Sequence, residues 1–325
     1  MANFIKVLSI DGGGMRGIIP AMILAEIETR TQRQVAELFH LIAGTSTGGI
    51  LALGLTKPNP QGKPRYAARD LMNLYEAEGG RIFSRSVWHR IHAIGHMAEE
   101  KYPSDGIETV LDRYFGEARL KDAVTDVLIT SYEIEKRLPF FFKSANAKTK
   151  LGYDFPMKKV ARATSAAPTY FEPLRLETGD SSDYYALIDG GVFANNPAMC
   201  AFVEAKTTHP DANDFLVLSI GTGEMTRRLP YDEVKNWGLL RWAQPILSVV
   251  FDGVNDTVDY QLKQLLPLTR EGHERYYRFQ TRLDMGNDDM DDASQTNIHT
   301  LRLLAEAIIH ENNDALNRLC DELVR

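Results

Sequence analysis

Ser46 stands in Gly44-Thr45-Ser46-Thr47-Gly48, a G-x-S-x-G stretch that follows the apolar run Phe39-His40-Leu41-Ile42-Ala43 and opens a helical pattern from Thr47 to Leu55. A strand, a tight turn and a helix form the setting of a nucleophile elbow. The flanking Gly44 and Gly48 let the chain reverse sharply and leave room for a substrate at the hydroxyl. A serine hydroxyl attacks only when a neighbouring base takes its proton. Asp189 is the leading candidate base. It closes the strand-like run Tyr184-Tyr185-Ala186-Leu187-Ile188, and Gly190 and Gly191 after it allow other backbone to come close. Asp-Gly alone is a common turn signal, so the assignment rests on what surrounds it.

Asp11-Gly12-Gly13-Gly14-Met15-Arg16-Gly17 lies between a strand-like Ile5–Ile10 and a helical Ile18–Arg30. Adjacent glycines at a helix start present bare backbone N–H groups where the helix dipole is positive, a setting for a phosphate or an oxyanion. Gly12, Gly14 and Gly17 also satisfy G-x-G-x-x-G, which makes a dinucleotide site the competing reading. In that motif the second strand ends in an acid that holds a ribose. Here it ends in the serine elbow, and Glu37 precedes the strand.

The eight histidines offer a weaker base. A Ser-Asp-His order would use His273, His299 or His310, and none follows a recognisable strand end. His89, His92 and His96 have metal-ligand spacing on one helical stretch, without an acid or cysteine to complete a ligand set. Neither a metal nor a cofactor is implied.

Together these stretches resemble the patatin-like phospholipases, which combine a D-G-G-G-x-[KR]-G loop, a G-x-S-x-G nucleophile and a D-G-[GA] base motif in this order. Ala163-Thr164-Ser165-Ala166-Ala167-Pro168 and Leu218-Ser219-Ile220-Gly221-Thr222-Gly223 are similar to further segments of that family. The resemblance implies a lipid acyl hydrolase with Ser46 and Asp189 as a catalytic dyad. It assigns Gly12, Gly13, Gly14, Met15, Arg16 and Gly17 to the oxyanion hole, with the N–H groups of Gly13 and Gly14 as donors. Arg16 would neutralise charge in the loop, contact a lipid phosphate, or form an ion pair at the helix start. The implied substrate is a membrane phospholipid, met by peripheral contact. The compact plan also looks like the CapV-type bacterial effectors of antiphage defence, which implies a cyclic dinucleotide activator as an alternative. A homodimer and a catalytically dead lipid-binding module are further readings.

The whole chain bounds these expectations. At 325 residues it reads as a single domain, with a motif-bearing core over about 4–225 and a helical part over about 235–325. Strand-like runs near 4–10, 38–43, 124–132, 184–188 and 214–220 alternate with helical stretches. That alternation predicts a three-layer α/β fold, a mainly parallel central sheet flanked by helices, with the motifs at strand ends. A formal charge of −7 argues against a nucleic acid polymer as partner. Only Cys200 and Cys320 are present, with no signal peptide or bilayer-length apolar run, so a cytoplasmic protein is expected. Cys200 reads as core. The pattern from Asn297 to Val324 predicts one long helix or two abutting ones, with Asn312-Asn313 as the weak point.

From Arg81 to Glu100, Ile82, Val87, Trp88, Ile91, Ile94 and Ala98 recur at helical spacing between arginines and histidines. This is either an ordinary amphipathic helix or a cap over the site that meets a lipid surface. For a cap, replacing Trp88 and Ile91 with serine cuts activity on vesicles far more than on a short soluble ester. A core helix instead loses both activities together with a lowered thermal midpoint.

Overall fold

The computed structural model describes residues 4–82, 104–178, 183–226, 228–242, 245–284 and 289–325. Eight strands form one sheet: β1 Phe4–Ile10, β2 Leu41–Gly44, β3 Asp126–Glu133, β4 Leu138–Lys143, β5 Leu174–Glu177, β6 Tyr184–Asp189, β7 Asp214–Ile220 and β8 Tyr276–Phe279. Their order is β5-β6-β3-β2-β1-β7-β8, with β4 also paired to β3. The pairs β1–β2, β1–β7, β2–β3 and β7–β8 are parallel. Those of β3 with β4 and β6, and of β5 with β6, are antiparallel.

Side chains alternate across a strand, and here both faces are covered. Leu8, Ile10, Ile42, Ile129, Leu218 and Ile220 enter the larger core. Beneath that face lie α1 (Ile18–Thr31), α2 (Thr47–Thr56), α3 (Ala68–Ile82), α4 (Asp105–Phe115), α5 (Met157–Thr164), α8 (Gln295–Glu311) and α9 (Asn313–Val324). Val7, Leu41, Ala43, Leu128 and Val217 point the other way, towards α6 (Ala198–Thr208) and α7 (Pro245–Leu265). The result is the three-layer α/β architecture expected from the alternation of elements. Among the described residues no helix is long and apolar enough to cross a membrane.

The expected strands are all present, and β4, β5 and β8 are additional. β8 arises inside the stretch read as helical, where it extends the sheet beyond β7. β6 also runs against β3, so Asp189 does not reach its place from a parallel strand. The terminal pattern resolves into α8 and α9, separated at Asn312. Cys200 is partly buried against the smaller core, and both cysteines are free. Trp237 and Trp242 stack edge to face with centroids 5.5 Å apart. The cap expected over Arg81 to Glu100 lies outside the described residues from 83 onward, as do His89, His92 and His96.

β8 supplies Arg278, whose Nη2 lies 2.7 Å from Asp11 Oδ2 just past the end of β1. Its Nη1 donates to Ser219 Oγ at 2.8 Å. Burial pushes the Asp11 carboxyl up, and Arg278 pulls it back towards the charged form. Arg278→Met strands that carboxylate without its partner, so the expected loss is about 3–5 kcal/mol of unfolding free energy. Chemical denaturation at neutral pH checks it, and adding Asp11→Asn to the same chain should restore much of the loss.

Candidate active site

Strand registers bring Ser46 and Asp189 together. Ile10 pairs with Gly44, and Gly44 with Ile129, so β2 stops while β3 continues to Glu133. β4 lies along one edge of β3 from Leu128 to Glu133, leaving the other edge to β2 as far as Ile129. β6 takes that same edge from the opposite direction, with Asp189 opposite Ser131. The chain leaving β2 and the end of β6 therefore meet. Ser131 Oγ donates to Ile188 O at 2.7 Å, fixing β6 one residue before the aspartate.

Ser46 adopts φ 54° and ψ −123°. Positive φ is strained for a residue with a side chain and persists only where its surroundings enforce it. The Ser46 N–H donates to Thr164 Oγ1 at 2.9 Å, and Ile50 N–H returns to Ser46 O at 3.0 Å. Thr45 Oγ1 donates to Ala194 O at 2.6 Å and lies 2.7 Å from Thr130 Oγ1, all of it buried. A Cβ at Gly44 would collide with Gly48 O, and one at Gly48 with Ile10 O, so close packing demands both glycines of the elbow.

Asp189 is 3% exposed. Burial pushes its carboxyl up to about 7, against the opposing effect of hydrogen bonds from the Ser46 hydroxyl and the Gly191 N–H. The Gly191 bond is 2.7 Å long, and Asp189 N–H donates to Ala166 O at 3.0 Å. A Cβ at Gly190 would strike Thr130 Oγ1, so the base motif needs its first glycine where β3 passes.

The glycine loop joins the pair from β1. Gly12 N–H donates to Asn195 O at 3.0 Å and Met15 N–H to Met290 O at 2.8 Å, while Arg16 N–H closes onto Gly13 O at 3.2 Å. The N–H groups of Gly13 and Gly14 have no acceptor among the described residues. Of the loop residues named from sequence, Gly13 and Gly14 therefore keep donors to spare. Gly12, Met15 and Arg16 commit theirs to the protein. Arg16 is itself buried, with Nε donating to Gly13 O at 3.2 Å, which places it as a brace within the loop. Thr222 Oγ1 donates to Gly12 O at 2.6 Å from the opposite side.

Ser46, Asp189, Gly13 and Gly14 line one pocket with about 690 Å³ of empty space, its open mouth included. Its walls are apolar: Ile50, Leu74, Ile82, Ile107, Phe171, Phe251 and Met290. None of His40, His209, His273, His299 and His310 lines it, so the triad alternative finds no histidine among the described residues. Nor do those residues hold a group of side chains suited to a metal ion.

The family model described as patatin-like phospholipase matches residues 8–202. The chain belongs to the patatin-like phospholipase family. It is 33% identical to Patatin-like protein 4 of Arabidopsis thaliana, over 97% of this chain and 86% of that one. It is 32% identical to Patatin-like protein 2 of the same plant, over 99% and 83%. A third relative, "Probable inactive patatin-3-Kuras 1" of Solanum tuberosum, is 31% identical over 97% and 90%. The chain therefore has the fold of a family of lipid acyl hydrolases.

Beyond the three motifs of this patatin-like chain, the geometry adds residues that sequence reasoning left without a role. Thr164 lay in a family-like segment and Thr222 in a Gly-Thr-Gly turn, yet neither pattern tells what the hydroxyl holds. Asn195 signals itself only as part of a polar pair after Asp189-Gly190-Gly191. Arg278 is the one charge within Tyr276–Phe279, a signal visible once that run is read as a strand.

Asp189→Asn tests the cost of burying the charge. A folded-state pKa near 7 against about 3.9 unfolded means the penalty is absent below pH 4, grows from pH 4 to 7 and is constant above. At pH 8 the amide should raise stability by as much as roughly 4 kcal/mol, with little gain at pH 4. Thermal or chemical unfolding at the two pH values checks it.

Proposed function

We propose that this protein is a serine acyl hydrolase that releases fatty acids from membrane phospholipids, with Ser46 as nucleophile and Asp189 as base. The observation that carries the reading is the convergence of Ser46, the buried Asp189 carboxyl and the two uncommitted N–H groups of Gly13 and Gly14 on one apolar pocket. One relative carries the name "Probable inactive", so the reading rests on the residues of this chain and not on family membership alone. The intact pair supplies what membership does not.

In the proposed reaction the ionised Asp189 takes the proton of Ser46 as Oγ bonds to the acyl carbonyl carbon. The N–H groups of Gly13 and Gly14 receive the oxyanion, the kind of stabilisation worth on the order of 10²–10³ in rate per donor. Protonated Asp189 then gives its proton to the departing lysolipid oxygen, leaving an acyl-serine. A water molecule, deprotonated by Asp189, attacks the acyl carbon, and collapse returns the proton to Ser46 as the fatty acid leaves. A carboxyl near pH 7 is well matched to this alternation, since a strongly acidic one would be a poor proton acceptor. The apolar walls suit an acyl chain, and the open mouth suits contact with a bilayer surface.

Fatty-acid release from phosphatidylcholine vesicles tests the reading, with and without an added cyclic dinucleotide. Ser46→Ala should abolish release in both. As Asp189 must be ionised to act, kcat/KM should fall about tenfold per pH unit below an apparent pKa near 7 and level off above it. A profile flat down to pH 5 would remove Asp189 from the role of base.

A further inference from the structure

Helix α3 bears on both halves of the proposed machinery. Tyr75 Oη lies 2.5 Å from Thr47 Oγ1 and 3.2 Å from Thr47 O. A phenol has one proton, so one arrangement satisfies all three groups. Tyr75 O–H donates to the Thr47 carbonyl, and the Thr47 hydroxyl donates to the phenol oxygen. One turn further along α3, a Cβ at Gly79 would lie 2.6 Å from the Met15 sulfur, so the helix rests directly on the glycine loop. A Cβ at Gly17 would lie 2.6 Å from Tyr75 Cζ and 2.7 Å from its oxygen. Tyr75 is thus wedged between the residue after the nucleophile and the last glycine of the loop.

We infer that Tyr75 is a positioning residue that sets the serine elbow against the oxyanion loop through its paired hydrogen bonds to Thr47. The inference rests on the roles proposed above for Ser46 and the loop. The strained Ser46 backbone has Thr164 holding its own N–H, and Tyr75 secures the next residue from the other side. Thr47 carries a backbone N–H with no acceptor among the described residues. In a nucleophile elbow, that N–H is well placed to assist the oxyanion. Tyr75 thereby holds a donor as well as the turn. Burial keeps its phenol protonated and able to donate at any pH at which the protein folds.

The test is a double-mutant cycle of Tyr75→Phe and Thr47→Val, assayed on a short soluble ester beside wild type and Ser46→Ala. Tyr75→Phe keeps the ring that lines the pocket and removes one oxygen. Misplacement of reacting groups by fractions of an ångström is costly, so each single change should lower kcat by about 10- to 100-fold with KM within about twofold. The double variant should lose no more than the worse single one, because both changes break one unit. Losses that multiply, or a raised KM with kcat intact, overturn the proposal and leave Tyr75 as pocket wall. Should Tyr75→Phe fail to fold, Thr47→Val decides alone, and a kcat within twofold of wild type overturns it. Wild-type hydrolysis that Ser46→Ala abolishes keeps the proposed reaction standing whatever Tyr75 does. An inactive wild type overturns both.

Discussion

Everything at the site depends on β3 being longer than β2. Because β2 ends at Gly44 opposite Ile129, four residues of β3 remain with an unpaired edge. Left open, such an edge would expose backbone donors and acceptors without partners. β6 fills it from the opposite direction, and two chain segments are thereby driven head-on. At that junction neither segment can continue as a strand. One turns into the serine elbow and the other ends in the aspartate with its two glycines. The juxtaposition of hydroxyl and carboxyl is thus a by-product of completing one strand's hydrogen bonds.

The surroundings of this junction explain the properties of the aspartate. An arginine beside Asp189 would hold its carboxyl low and spoil it as a base. The protein instead gives that carboxyl a hydroxyl, one backbone N–H and an apolar enclosure, and burial dominates. Asp11, just past the end of β1 and separated from β6 by two strands, is treated in the opposite way, with Arg278 against it. Two buried carboxyls at strand ends of one sheet therefore differ by their company. One anchors the glycine loop to β8, and the other is kept ready to exchange a proton.

Much of the fold was legible because its central strands are largely apolar runs, and all but β3 run out into glycines. β1, β2, β3, β6 and β7 could all be placed, and so could the motifs at their ends. β4 carries Pro139 and an exposed Leu138, which read as loop. β5 and β8 are four residues each, too short for alternation to stand out. The direction of β6 was not legible at all, since the route of the chain between β4 and β6 sets it and no local pattern encodes that route. The proposed dyad could be named because glycines mark both of its members. The hydroxyls of Thr45, Thr164 and Thr222 could not, since a buried threonine looks the same in sequence whether it packs or donates.

Ser46 and Asp189, the proposed nucleophile and base, share a mount. Thr164 Oγ1 holds the Ser46 N–H and Ala166 O holds the Asp189 N–H, so two residues two apart, at and just past the end of α5, grip both. A shift of that short segment would carry the two together. On the proposed reaction, pocket walls outside this segment could yield to acyl chains of different length with the pair still held in place. Tolerance in the choice of acyl group and constancy in the chemistry are, in such a design, mechanically separate.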